Sequence, residues 1–262
     1  MRIVVCVKQV PDTTEVRMDP ERSTLIREGV PSIVNPFDAF ALELALSLAD
    51  EDPDIEVITL SMGPPQAEES LRETIGMGAD SAILVSDAAF AGSDTWATSF
   101  TLSAAIREIG DVDLILTGQQ AIDGDTAQVG PGIARFLGIP QGIFVRRIEL
   151  VGDGTIRVER VDETGHQVVE METPALVSVI KLSKDPRLPS LRGMMKAKKA
   201  EIPVWDAEKL GISEKPLGLD GSPTRVCKIF TPPQKGAGEM WEGEPREMGE
   251  KHAKLIKEKK LA

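Results

Sequence analysis

The sequence predicts an α/β protein built on a parallel β-sheet with helices on both faces. Two observations lead to this prediction. Short runs of β-branched and aliphatic residues alternate along the chain with segments whose apolar residues recur at helical spacing, as in repeated βαβ units. Aromatic residues make up only 4% of the 262 residues and tyrosine is absent, so the core must be built from aliphatic side chains, which favours buried parallel strands.

The first half of the chain supplies the parallel strands and their helices. Fully apolar runs predict buried strands over residues 3–7, 57–60, 82–85 and 114–116. Helical spacing predicts helices over residues 37–49, 65–77 and 95–109. Proline near the helix starts, at Pro36 and Pro65, and glycine after the helix ends, at Gly78 and Gly110, support these boundaries. Ligands of such sheets bind at the carboxyl ends of the strands.

The pattern changes after Gly138. Amphipathic strands over residues 144–151, 155–161 and 167–171 predict an antiparallel hairpin addition, and residues 175–180 predict a buried strand that returns to the sheet. From Asp185 onward the chain is predicted as loop, with an extended arm over residues 215–245 and a lysine-rich helix over 247–261. We therefore expect an α/β nucleotide-binding domain over 1–214 and, over 215–262, an arm that wraps a partner.

Composition excludes several classes of protein. A net charge of -12 argues against nucleic-acid binding. No apolar segment is long enough for a signal peptide or a membrane span, so we expect a soluble cytoplasmic protein. The two cysteines, Cys6 and Cys227, do not form a disulfide framework or a metal-ligand spacing, and His166 and His252 lack neighbours for a metal site or a catalytic triad. The sequence thus predicts no catalytic side chain and no metal.

Residues 118–131, GQQAIDGDTAQVGP, connect the strand at 114–116 to a helix that we expect to begin at Gly130–Pro131. The backbone N–H groups before such a helix can converge on an anion at the positive end of the helix dipole. In this loop those N–H groups belong to Ala127, Gln128, Val129 and Gly130. The side chains of Thr126 and Gln128 can add donors. Gly124 and Gly130 allow the backbone to bend and approach closely.

An ordinary strand-to-helix turn is the alternative interpretation of this loop. Asp123 and Asp125 would then only form Asx-type turns, and their carboxylates oppose phosphate binding unless they face ribose hydroxyls or the loop backbone. The loop matches neither the Walker sequence nor GxGxxG. Spacing alone leaves both interpretations open.

Five segments in order resemble the β subunit of electron transfer flavoproteins along nearly the whole chain. They are VCVKQVPDT from Val5, NPFDAFALELAL from Asn35, LSMGPPQAEESLRETIGMGAD from Leu60, GQQAIDGDTAQVGP from Gly118 and PRLPSLRGMMKAKK from Pro186. The resemblance implies an adenine-nucleotide α-hydrolase-like fold and a heterodimer with a flavin-bearing α subunit, which the C-terminal arm embraces.

The same resemblance implies a nucleotide in the β subunit, for which two versions exist. Simple carriers hold structural AMP and pass electrons between a dehydrogenase and a quinone-linked oxidoreductase. The bifurcating branch holds the adenine end of a second FAD, which takes electrons from NADH and passes them to the α-subunit FAD and to ferredoxin or flavodoxin, in service of an acyl-CoA dehydrogenase-type partner. The residues from Asp123 to Pro131 resemble the FAD-holding version, and only this version would make the protein an NADH-oxidising enzyme.

The resemblance also implies site residues, at the positions where this sequence matches the family's motifs. It implies adenosine contacts at strand ends and at a helix start, and phosphate contacts along the loop. Asp94 and Thr95 are expected to cap a helix or to point toward the flavin. The remaining expected contacts are Cys6, Val7, Asn35, Met62, Gly63, Asp123, Gly124, Asp125, Thr126, Ala127, Gln128, Val129 and Gly130.

The segment from 188 to 199 is a basic and apolar exception on an acidic chain. It resembles the recognition loop that docks partner dehydrogenases, with Leu191 as its anchor, and is closer to the docking segment of simple carriers. An amphipathic surface turn with solvated lysines is the alternative. The other expected docking residues are Arg192, Met194, Met195, Lys196, Lys198 and Lys199.

Two functions outside this family stay open at this point. The first is a stand-alone nucleotide-sensing α/β protein, which would not need the arm after Lys215. The second is an ATP-using ligase, whose Ser-Gly-Gly-x-Asp-Ser loop after the first strand is replaced here by the sequence KQVPDT from Lys8.

Overall fold

The computed structural model describes residues 1–12, 32–228, 236 and 238–260. The strands within these residues are β1 (Arg2–Cys6), β2 (Gln9–Pro11), β3 (Ser32–Val34), β4 (Glu56–Met62), β5 (Ser81–Val85), β6 (Leu114–Gly118), β7 (Gln141–Gly152), β8 (Thr155–Asp162), β9 (Gly165–Glu172), β10 (Ala175–Val179) and β11 (Val204–Trp205). The helices are α1 (Pro36–Glu51), α2 (Glu68–Met77), α3 (Thr95–Ile109), α4 (Val129–Leu137), α5 (Leu191–Lys199) and α6 (Pro245–Glu258).

Nine of these strands form one sheet in the order β11-β5-β4-β1-β6-β10-β7-β8-β9. Neighbours from β11 to β7 pair in parallel, and β7, β8 and β9 continue the sheet as an antiparallel meander. The short strands β2 and β3 form a separate antiparallel pair. The predicted α/β class, with a parallel sheet and an antiparallel addition, is confirmed.

Successive residues of the central strands enter opposite cores because side chains alternate across a strand. Val5 of β1 packs in a core with residues of α1 and α2, such as Leu42 and Leu71. Val4 packs in the second core, which includes Ile106 of α3 and Ile133 of α4. Both faces of the sheet are therefore covered by helices.

The order of the strands reverses between β1 and β6. The chain leaves β1 toward β4 on one side and leaves β6 toward β7 and β10 on the other side. Such a reversal opens a crevice at the carboxyl ends of the two strands, where ligands bind in open α/β sheets. The loop after β6 lies at this edge.

Helix α4 begins at Val129, slightly before the predicted start at Gly130–Pro131. Pro131 is consequently its third residue, still within the first turn, where a missing N–H removes no helical hydrogen bond.

The prediction that loop begins at Asp185 is wrong for residues 191–199, which form α5. The side chain of Ser190 accepts a hydrogen bond from Gly193 N at 3.0 Å and caps this helix. Gly193 lies so close to the backbone of Gly76 in α2 that an added Cβ would be 2.9 Å from its carbonyl carbon. The helix is therefore stabilised by packing on α2, which its lysine-rich composition does not reveal.

The chain divides into two compact units, Met1–Val226 and Cys227–Ala262. The first unit ends later than the expected boundary at residue 214, because Leu217 is buried and Leu219 N donates to Ala91 O at 2.9 Å. In the second unit, Lys251 Nζ lies 4.1 Å from the ring centre of Trp241. Residues 229–235, 237, 261 and 262 of the predicted arm lie outside the described residues.

No helix in the described ranges combines the length and the apolar character needed to cross a membrane.

Candidate functional site

A buried carboxylate joins the two strand ends at the crevice. Asp38, in the first turn of α1, accepts hydrogen bonds from Lys8 N after β1, at 2.8 Å, and from Gly118 N at the end of β6, at 3.0 Å. Burial raises the pKa of the Asp38 carboxyl to about 7, although hydrogen bonds from Asn35 and the two backbone groups oppose the rise. Asp38 therefore fixes the spacing of β1 and β6 where a ligand would enter.

Gly118 is required by this close approach. A Cβ atom on Gly118 would be 2.6 Å from the carbonyl carbon of Phe37 and closer still to Oδ1 of Asp38. A larger residue would push the start of α1 away from β6 and break the hydrogen bond to Asp38.

Asn35 anchors the loop after β6. Its side chain has no exposed surface; Nδ2 donates to Gln120 O at 2.8 Å and Oδ1 accepts from Ile122 N at 3.1 Å. The amide of Asn35 is thus bonded to loop backbone, and the adenosine contact that the resemblance implies stays a prediction. It positions the loop.

The two carboxylates of the loop have partners within the protein. Lys8 Nζ donates to both oxygens of Asp123, at 2.7 and 2.9 Å, and Gln120 Nε2 donates to Asp125 Oδ1 at 2.8 Å. Lys8 also places a cation beside the loop. The objection that Asp123 and Asp125 repel a phosphate is weakened, because a neighbouring cation or amide donor offsets each carboxylate.

The loop presents a row of free backbone donors. In the described part of the chain, no protein group accepts a hydrogen bond from the N–H of Ala127, Gln128, Val129 or Gly130. These four consecutive groups lead into the positive end of α4 and can bind an anion together. Phosphate contact was predicted for these same residues, and that contact stays a prediction.

The glycines of the loop act differently from the expectation. Asp125 and Ala127 adopt the left-handed conformation, with φ of 50° and 54°, whereas Gly124 does not. A Cβ on Gly124 would meet nothing within 4 Å, but a Cβ on Gly130 would be 2.7 Å from Thr117 Oγ1. Gly130 therefore allows α4 to pack against β6, and Gly124 is not needed for the bend.

The other expected adenosine contacts lie at strand ends on the same edge. Cys6 ends β1, Met62 ends β4 and Gly63 follows it. Val7 N donates to Leu60 O at 2.8 Å, which extends the pairing of the two strands by one residue. Burial raises the pKa of Cys6 to about 12, so its thiol is neutral.

Asp94 and Thr95 begin α3 at the same edge. Asp94 Oδ1 accepts from Trp96 N and Ala97 N, and Oδ2 accepts from both the N–H and the hydroxyl of Thr224. Asp94 thus caps the helix, which was one of the two expected roles. Its second oxygen bonds Thr224, in the segment that ends the first unit. Pointing toward a flavin stays a prediction.

The expected docking residues lie on or beside α5. Leu191 is 80% exposed and Met195 is 64% exposed, and Leu188 before the helix is 86% exposed. Lys196 Nζ donates to Ala79 O at 2.9 Å, and its docking role stays a prediction. The helix thus presents an apolar and basic surface on an acidic chain.

Sequence reasoning missed Lys8 and Asp38 as site residues. Each carried a signal: Lys8 follows directly after a buried strand, and Asp38 is a carboxylate within an otherwise apolar helix start. The contacts of both residues join segments far apart in the chain, so their partners were not evident.

Comparisons with known proteins agree with this architecture. The electron transfer flavoprotein domain family matches residues 23–210. The chain is 53% identical over 243 residues to the caffeyl-CoA reductase–Etf complex subunit CarD of Acetobacterium woodii, covering 93% of this chain and 92% of CarD. It is 52% identical to the electron transfer flavoprotein subunit beta of Megasphaera elsdenii, covering 91% and 90% of the two chains. It is 46% identical to the protein FixA of Azorhizobium caulinodans, covering 88% and 85%.

The extent of these matches, together with the α/β architecture, leads to one conclusion. The chain belongs to the electron transfer flavoprotein family, as a β subunit that pairs with an α subunit.

Proposed function

We propose that the crevice over β1 and β6 binds the adenosine and phosphate part of an FAD, and that the protein divides electrons from NADH between the α-subunit FAD and a low-potential acceptor, ferredoxin or flavodoxin. The observation that carries the proposal is the loop after β6, in which four consecutive N–H groups have no acceptor among the described residues and both carboxylates already have partners. The protein would act in the cytoplasm.

The residues present fit the phosphates of such a group. The N–H groups of residues 127–130 would hold the phosphate oxygens, and Lys8, through its ion pair, would offset the negative charge of Asp123 beside them. Asn35 and Asp38 would keep the loop and the strand ends in place. The flavin itself supplies the redox chemistry, and the chain supplies binding, orientation and electrostatics.

The choice of FAD over AMP is supported by the residues from Asp123 to Pro131, which resemble the FAD-holding branch of the family. The relative CarD is named as a subunit of a complex with a reductase of a CoA ester. That name supports a partner of the acyl-CoA dehydrogenase type for this chain. The exposed apolar and basic surface of α5 would be the docking site for this partner.

A simple carrier that holds structural AMP is the second candidate. The segment from 188 to 199 favours it, since its sequence is closer to the docking segment of simple carriers. Electrons would then pass from a dehydrogenase to a quinone-linked oxidoreductase through the α-subunit flavin alone.

Counting cofactors distinguishes the two candidates. The chain would be co-expressed with its α subunit, and flavin and AMP measured per heterodimer. We expect two flavins and no AMP; one flavin with stoichiometric AMP would contradict the proposal. Division of electrons further requires that NADH oxidation depend on both acceptors together.

A pair of glycine variants assigns the second flavin to this crevice. Gly118→Ala introduces a Cβ against Asp38 and is expected to lose one flavin while the α-subunit flavin stays. Gly249→Ala, on α6, is the control, because its Cβ would meet nothing within 4 Å, and it should keep both flavins. Equal flavin content in the two variants would argue against this location.

A further inference from the structure

We propose that Met195 on α5 is a site of reversible oxidation, at which hydrogen peroxide converts the thioether to a sulfoxide and thereby weakens docking of the partner dehydrogenase. The inference rests on the docking role of α5 in the proposed function and adds a means of regulating it. Three observations carry it: the exposure of Met195, its place within an apolar surface, and two cationic side chains beside it that have no partner among the described residues.

Met195 exposes its side chain within the surface that α5 presents. It is 64% exposed and lies one helical turn after Leu191, the expected apolar anchor. The adjacent Met194 is 42% exposed, and Met77 at the end of α2 is buried. Oxidation of methionine requires access of the oxidant to the sulfur atom, so Met195 is the more reactive of the two methionines on α5.

Two cationic side chains flank Met195 on its own helix. Arg192 precedes it by three residues and Lys199 follows it by four, and these spacings place side chains next to one another on a helix. All three residues line one cavity of about 570 Å³ between α2 and α5. Within the described ranges, the side chains of Arg192 and Lys199 form no hydrogen bond or ion pair, whereas Lys196 donates to a backbone carbonyl. Two available donors therefore lie beside the thioether.

The proposed step transfers one oxygen atom from hydrogen peroxide to the Met195 sulfur. A sulfur lone pair attacks a peroxide oxygen, the S–O bond forms as the O–O bond breaks, and the second oxygen leaves as water after proton transfer. Sulfur loses two electrons and peroxide gains them. A thiol-dependent methionine sulfoxide reductase reverses the change, because two thiols become a disulfide and the oxygen leaves as water.

The sulfoxide alters the docking surface in two ways. It replaces an apolar thioether with a polar group, and burying that group in an apolar interface is unfavourable unless a hydrogen bond is made. The new oxygen is also an acceptor for Arg192 and Lys199, so the oxidised side chain is held on its own helix. Both effects reduce the apolar contact that α5 offers to a partner.

Peroxide treatment of the heterodimer tests the site. The wild type, Met195→Leu, Met194→Leu and Met240→Leu would be oxidised, freed of peroxide with catalase and assayed with an acyl-CoA dehydrogenase that reduces the untreated heterodimer. Met240 is 90% exposed and lies outside α5, so it controls for oxidation elsewhere. Relative to the same protein before treatment, the apparent KM of the wild type and of both controls should rise about tenfold, and that of Met195→Leu by less than about twofold.

A methionine sulfoxide reductase should restore the KM of the oxidised wild type, whereas dithiothreitol alone should not, which separates the sulfoxide from oxidation of the exposed Cys227. Peptide mass spectrometry would locate each added oxygen. The inference would be overturned by an unchanged KM after Met195 is oxidised, by no oxidation of Met195 when Met240 is fully oxidised, or by an equal rise in Met195→Leu.

Leu191→Ala separates failure of this inference from failure of the docking role. If that variant raises the KM while oxidation of Met195 does not, the inference alone is overturned. If neither change affects the KM, the docking role that the proposed function gives to α5 is overturned with it.

Discussion

At the residue scale, the crevice depends on two buried polar side chains one turn apart. Asn35 and Asp38 are both buried, and their hydrogen bonds to backbone join the start of α1 to the segments after β1 and β6. Burying such groups is unfavourable unless their hydrogen bonds are made, and here backbone groups make them. The site is thus held in shape before any ligand binds.

The Asp38 carboxyl should give the protein an unusual dependence of stability on pH. Its pKa is about 7 in the folded protein, above the ordinary value of 3.8, because burial disfavours the charge. The folded state therefore keeps a proton that the unfolded chain releases. This contribution is full below about pH 4 and is lost as the pH rises to about 7, by about 1.4 kcal/mol per pH unit.

Denaturant unfolding of the wild type and Asp38→Asn from pH 4 to 8 measures this contribution. The free energy of unfolding of the variant, relative to wild type, should rise across that window because the wild type alone loses stability from this group. A constant difference between the two proteins would contradict the assigned ionisation.

At the element scale, α5 is fixed to the body by contacts from outside the helix. Arg72 of α2 donates to Ala200 O at 3.2 Å, and Lys196 donates to Ala79 O. The segment before the helix is held by Glu43 of α1, which accepts from Lys184 at 3.2 Å and from Arg187 at 2.8 Å. These contacts set the orientation in which the exposed apolar residues of α5 are presented.

Glu43→Gln should loosen the segment before α5, which contains Lys184 and Arg187. Burial alone would raise the pKa of Glu43, but hydrogen bonds from Arg187 and Lys184 lower it, so the ionised form is the stabilising one. Losing that charge should lower the free energy of unfolding by about 1–3 kcal/mol and speed proteolysis between residues 184 and 190.

Glu170→Gln is the control for this prediction, because it breaks an exposed pair with Arg157 and should cost less than about 1 kcal/mol. The same stability loss in both variants would show that the Glu43 cluster has no special role. The wild-type contribution of Glu43 should also disappear as the pH falls below the ordinary pKa of glutamate, because its folded-state pKa is lowered.

At the scale of the whole molecule, the crevice and the surface of α5 lie on different parts of the first unit. The crevice lies between β1 and β6, near the middle of the sheet, whereas α5 packs on α2 and leads toward the edge strand β11. Cofactor binding and partner docking should therefore be separable by mutation.

Leu191→Ala tests that separation in the heterodimer. The variant should keep its flavin content and raise the apparent KM for the partner dehydrogenase by about tenfold, because it removes an 80% exposed apolar anchor. Val168→Ala removes another exposed aliphatic side chain, on β9, and should leave the KM unchanged. Loss of flavin in Leu191→Ala, or an unchanged KM, would contradict a docking role.

The helices and strands that depend on residues close in the sequence were predictable. The predicted helix over residues 95–109 has the bounds of α3, and the runs that predicted the central strands lie within or overlap β1, β4, β5 and β6. Apolar periodicity and proline or glycine at helix ends express local preferences, so they can be detected in a short window. The N–H groups of residues 127–130 were predictable for the same reason, since a strand, a loop and a helix start follow one another directly.

Local sequence alone determined the α/β class, the loop after β6 and the row of donors that it presents. Only the tertiary structure decided which groups meet there. Lys8 bonds Asp123 although the two residues are 115 positions apart in the sequence, and Asp38 bonds Gly118 at a separation of 80 positions. The physical reason is that these contacts exist only after β1, the start of α1 and β6 have come together at one edge of the sheet, and no local preference specifies that arrangement.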